Sequence, residues 1–80
     1  MRQLSNIYVI KVECHSGYKV NERPISFTLE GKKLMVEKIV DRWRDPQFNY
    51  FKVLTDDGKA YLLRYDERND EWKLEKVYEY

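Results

Sequence analysis

The chain of 80 residues carries 15 Lys and Arg against 14 Asp and Glu, a formal net charge of +1, and has room for one small domain only, since folding units rarely fall below about 50 residues. With 42% hydrophobic and 36% charged residues it is too apolar and too nearly neutral for disorder, and its negative mean hydropathy excludes an apolar membrane span. A spanning helix needs about 20 apolar residues and a secretory leader at least about 7 behind a basic start; Met1 to Ile10 offers neither, so the expected location is the cytoplasm, with no membrane partner. Cys14 is the one cysteine and permits no internal disulfide. A chain this short buries only about 60% of its unfolded surface, so it depends on a core of large side chains, which 12 aromatics and a single alanine supply.

Residues 1–80 are read as one β domain, with residues 1–6 frayed. Ile7 to Cys14 alternates Tyr8, Ile10, Val12 and Cys14 on one face with Ile7, Val9, Lys11 and Glu13 on the other, the period of a strand. His15 to Tyr18 breaks it, and Pro24 starts the next strand after a polar connection. Ile25, Phe27 and Leu29 alternate, Glu30-Gly31-Lys32 turns, and Leu34-Met35-Val36 returns, so Ile25 to Val36 reads as a hairpin. Val36, Ile39, Val40 and Trp43 have helical spacing, yet three are β-branched and no N-cap precedes them. A strand whose alternation slips at a β-bulge near Glu37-Lys38 is preferred to a helix over Met35 to Trp43.

Asp41 to Asn49 is read as the longest irregular connection, because Pro46 interrupts it. Tyr50 to Leu54, an Asp57-Gly58 turn, Ala60 to Tyr65, a polar turn over Asp66 to Asp70, and Glu71 to Tyr78 make a three-stranded meander. The whole is an all-β chain: a small antiparallel barrel or strongly bent sheet of about six strands. Phe27, Val36, Val53, Leu62 and Leu74 are the expected core. Basic residues outnumber acidic ones nine to five up to Arg44, and acidic outnumber basic nine to six from Asp45 onward.

The runs Gly17-Tyr18-Lys19, Asn21-Glu22-Arg23-Pro24 with Phe27, Asp41-Arg42-Trp43, Tyr50-Phe51-Lys52-Val53, Asp57-Gly58, Tyr61 to Asp66 and Trp72-Lys73-Leu74 resemble a family of uncharacterised short bacterial β-domain proteins over most of the chain. More distantly, the order Arg-Pro, Phe, Val, Trp, hydrophobic strand, Trp-x-Leu is similar to a domain found near lesion-bypass polymerase genes in actinobacteria. The resemblance implies a bacterial, cytoplasmic, small β domain and carries no activity over.

Chemistry has few candidates. Cys14 and His15 are the only thiol and imidazole; as strand neighbours they point to opposite faces and form no nucleophile–base pair. Cys14 continues an apolar row and is expected to be a structural core residue, His15 an exposed turn residue. Metal-ligand spacing and a phosphate-cradling glycine loop are both missing, so no cofactor, metal or catalytic residue is expected and the chain is not read as an enzyme. What is left is a binding surface: Arg42, Trp43 and Arg44 with Phe48 and Tyr50, and Lys32, Lys33 and Lys38 on the preceding hairpin. Rings interleaved with cations suit single-stranded nucleic acid, rings for bases and cations for phosphates. The preferred alternative has Trp43 and Phe48 plugging one end of the barrel, with Arg42 and Arg44 solvated or paired to Asp41 and Asp45. The first functional expectation is accordingly a protein-interaction or adaptor module, the second a nucleic-acid accessory domain related to DNA repair. A homodimer covering Ile7 and Val9 is a further reading.

Overall fold

The computed structural model describes residues 8–14 and 23–78. Six antiparallel strands, β1 (Tyr8–Cys14), β2 (Pro24–Leu29), β3 (Lys32–Arg44), β4 (Phe48–Thr55), β5 (Ala60–Asp66) and β6 (Glu71–Tyr78), form a closed barrel in sequential order. Closure falls to β1, whose first half pairs with β6 (Tyr8↔Leu74, Ile10↔Trp72) and whose second half pairs with β2 (Lys11↔Thr28, Val12↔Phe27). The 13-residue β3 does the same on the other side: Lys32 to Met35 pair with β2, Val36 to Arg44 with β4.

No helix forms over Met35 to Trp43. The alternation of β3 slips at Glu37, as the sequence suggests, and a second time at Val40, where the ladder jumps from Ile39↔Val53 to Asp41↔Lys52. Each bulge leaves one residue unpaired and tightens the bend, which lets a single strand serve both sheets of the barrel. The expected irregular connection Asp41 to Asn49 is corrected to a tight hairpin. β3 runs on to Arg44 and β4 starts at Phe48, leaving Asp45-Pro46-Gln47 as the turn. One Asp45 carboxylate oxygen accepts the Gln47 and Phe48 amides at 2.8 and 2.7 Å, and the Asp45 amide donates to the Phe48 carbonyl at 3.0 Å, so the side chain does the work of a longer loop.

The two glycine turns follow their local chemistry. Glu30 and Gly31 both adopt positive φ (52° and 78°), the two-residue hairpin form that matches strand twist. Gly58 (φ 83°) closes the β4–β5 hairpin, its amide donating to the Thr55 carbonyl at 3.0 Å. Asp57 organises this turn by accepting from the Thr55 hydroxyl, from the Lys59 amide at 3.1 Å and from the Tyr61 hydroxyl at 2.6 Å.

Ile10, Phe27, Leu34, Phe51, Val53, Tyr61, Leu63, Tyr65, Trp72 and Leu74 are the buried core, with Val12, Cys14, Val36 and Ile39 packed partly buried against it. Of the expected core, Phe27, Val53 and Leu74 lie inside, and Val36 is half-buried at the margin. Leu62 is buried as expected, though outside the inner cluster. It is buried at 8% exposure, but on the outer face of β5, in register with Lys52 and Lys76, while Leu63 points into the core at 0%. Val9 stands exposed on the outer face, as the alternation of β1 requires; Ile7, His15 and the residues read as frayed lie outside the described residues.

Four turn and edge carboxylates are held below the usual range. Asp45 is lowered by the Phe48 and Gln47 amides, Glu13 by the Ser26 hydroxyl and Lys33 ammonium; at Asp57 and Asp66 partial burial pushes upward but hydrogen bonds outweigh it. Because the folded values lie below the unfolded ones, the stability they add is complete above an unfolded carboxylate pKa of about 4 and is lost as pH falls through the folded values. Urea midpoints are expected to fall from near pH 4 downward, and Asp57→Asn to flatten that fall. An acid limb equally steep in Asp57→Asn would remove Asp57 from this role.

Candidate binding surface

The sequence-nominated residues divide between two ends of the molecule. Lys32 and Lys33 open β3, where Lys33 pairs with Glu13 at 3.2 Å. Arg44 closes it, eleven residues and about 36 Å of strand from Lys33, in a molecule whose longest extent is 41 Å. The two lysines therefore do not belong to the surface built around Trp43.

At the far end, the outer face of β3, β4, β5 and β6 carries a row of contacts. Trp43 is not a plug: it is 45% exposed and lies flat on Tyr50, its cross-strand neighbour, with centroids 5.4 Å apart and planes 11° from parallel. Phe48, also expected as a plug, is half-buried on the same outer face, edge-on to Tyr50 at 6.3 Å. The Arg64 guanidinium sits 4.2 Å from the Phe48 ring and is fixed by Glu75 at 2.9 Å, and the Tyr50 hydroxyl donates to Asp45 at 3.2 Å. Trp43 is thereby supported from beneath by a ring whose hydroxyl is held by Asp45 and whose edge neighbour, Phe48, is covered by the Glu75-paired Arg64. An indole held this way presents one face to solvent at low entropic cost.

Arg42 and Arg44 border the same groove as Trp43 but leave the strand on its other side. Strand alternation turns them to the opposite side of β3: Arg42 is in register with the buried Phe51 and lays its guanidinium 5.3 Å from that ring, and Arg44 is in register with Asn49. Neither forms the expected ion pair with Asp41 or Asp45. Asp41 accepts the Arg42 amide at 2.9 Å, and Asp45 is taken up by its turn and Tyr50. A shallow open groove of about 270 Å³ is lined by Arg42, Trp43, Arg44, Asn49, Tyr50 and Phe51 together.

A second cation–ring group lies farther along the outer face, where the Lys52 ammonium is 4.3 Å and that of Lys76 5.4 Å from the Tyr78 ring. The residues that sequence reasoning missed are Arg64 and Glu75. Arg64 was legible in principle: the hairpin closed at Asp57-Gly58 sets Leu54 opposite Ala60, and counting back places Tyr50 opposite Arg64. Cys14 is half-buried, and burial, assisted by the Asp70 charge, pushes its thiol up to about 11, the behaviour of a packing residue rather than a nucleophile. Among the described residues no three His, Cys, Asp or Glu side chains converge to hold a metal. No family model, curated protein or solved structure matches the chain.

Proposed function

We propose that this chain is a small binding module whose contact surface is the Trp43–Tyr50 corner and whose partner is a protein. The observation that carries this reading is the half-exposed indole stacked at 5.4 Å on a braced tyrosine. Trp, Tyr and Arg dominate the energetics of protein interfaces, and a preordered ring costs little to immobilise on binding. Val40, also exposed, widens the apolar part of the surface along β3.

Single-stranded nucleic acid is the second reading. The exposure of Trp43 favours it, as does the distant resemblance to a domain near lesion-bypass polymerase genes. Against it, stacking sites of that kind carry cations beside the rings, whereas Arg42 and Arg44 turn to the other face of β3 and Arg64 is neutralised by Glu75. The near-neutral charge of the chain gives no basic footprint either.

The test is amide chemical-shift mapping of the labelled protein against fractionated cell lysate, with and without nuclease, for the parent and for Trp43→Ala. Nuclease-resistant binding that weakens about tenfold or more in Trp43→Ala, with an unchanged melting temperature, is the expected result. Nuclease-sensitive binding that falls steeply with salt assigns the surface to nucleic acid instead. Binding that ignores Trp43 removes the corner from the function.

A further inference from the structure

Beyond Met35, β3 pairs with β4 alone among the described residues, and within that set its other edge carries no strand from Val40 to Arg44. The ladder fixes which backbone groups face outward. Asp41 and Trp43 stand opposite Lys52 and Tyr50, and the Asp45 amide bonds the Phe48 carbonyl, so the β4-directed groups fall at 41, 43 and 45. Those of Arg42 and Arg44 point away from β4. The Arg42 amide confirms the pattern, since it bonds no strand and is capped by the Asp41 carboxylate at 2.9 Å.

The same two residues carry guanidinium groups on one face, two positions apart, with no carboxylate partner among the described residues. An edge bordered by bulges and by two unneutralised arginines resists pairing with neutral or basic strands, because approach desolvates both charges. An acidic strand reverses that sign.

We propose that the β3 edge at Arg42–Arg44 accepts an extended acidic peptide segment of the partner protein, with carboxylates at alternate positions facing the two guanidinium groups and an apolar residue between them beside Trp43. This rests on the protein-partner reading above and names the chemistry of that partner. Backbone bonds to Arg42 and Arg44 supply register, the carboxylates supply selectivity, and the indole on the opposite face covers the intervening side chain. Asp41 is the built-in competitor: its carboxylate already occupies the Arg42 amide and must swing away.

The probes are three blocked synthetic peptides titrated into the labelled full chain: alternating Glu and Val, alternating Lys and Val, and the first composition with its glutamates consecutive. The alternating acidic peptide is expected to shift the Arg42 and Arg44 amides most and to bind about tenfold tighter than the lysine peptide. Arg42→Glu with Arg44→Glu is expected to invert that preference with the dispersed amide spectrum of a folded barrel retained; should the double variant unfold, Arg44→Gln alone is expected to halve the discrimination or more. Asp41→Ala is expected to tighten the acidic peptide. The proposal is overturned by shifts that map away from β3, by equal affinity for alternating and consecutive glutamates, by a charge preference that survives the arginine substitutions, or by oligonucleotide binding at this edge tighter than the acidic peptide. Trp43-dependent capture of a protein that shows no such acid preference also overturns it, while leaving the protein-partner reading standing.

Discussion

Leu63→Ala is expected to destabilise the barrel by about 3 to 5 kcal/mol, and Leu62→Ala, one residue away, by no more than about 1 to 2 kcal/mol. Leu63 is wholly enclosed by the core and its loss leaves a cavity that neighbours on all sides must maintain. Leu62 alternates with it on the same strand and stands in register with Lys52 and Lys76, long flexible side chains that can settle into the vacated space. A domain of this size has about 4 to 12 kcal/mol to lose, so the first substitution brings it close to unfolding at ambient temperature and the second does not. Urea denaturation of the two variants measures the difference. Equal losses would mean that Leu62 is packed as tightly as Leu63, and a larger loss at Leu62 that β5 faces the other way.

Phe27→Ala is expected to cost about 3 to 5 kcal/mol as well, and to act across the barrel rather than within one sheet. Phe27, at the centre of β2, meets the Tyr61 ring of β5 edge to face, with centroids 5.1 Å apart and planes at 73°. The β2 half of the barrel is tied to the β4–β6 meander by ladders through β1 and β3, and this ring contact adds an apolar link between the two halves. The variant is expected to lose thermal stability and to exchange amides of β2 faster than those of β5. A melting temperature within error of the parent would show that the halves are held together without it.

What β1 to β6 owe to the sequence alone is local. Glu30-Gly31 and Asp57-Gly58 need left-handed backbone that glycine adopts freely, and a period of two sorts side chains to opposite faces without reference to anything distant, so the turns, the meander and the all-β class follow from short windows. The bulge at Glu37 is legible for the same reason, as a slip in that period. Arg42-Trp43-Arg44 also carried a strand's alternation, overshadowed by Pro46; Asp45 satisfies the turn amides that a longer loop would have been needed to satisfy. The tertiary structure decided what contacts between distant residues decide. Tyr61, Leu62 and Leu63 are all apolar, so no alternation marks which of them turns inward; the register of β5 against β4 and β6 does. Trp43 is exposed because the register of β3 on β4, reset by two bulges, turns it to the outer face and onto Tyr50. Partner exchange along a strand is set by closure of the whole barrel, a long-range constraint that no window of the chain contains.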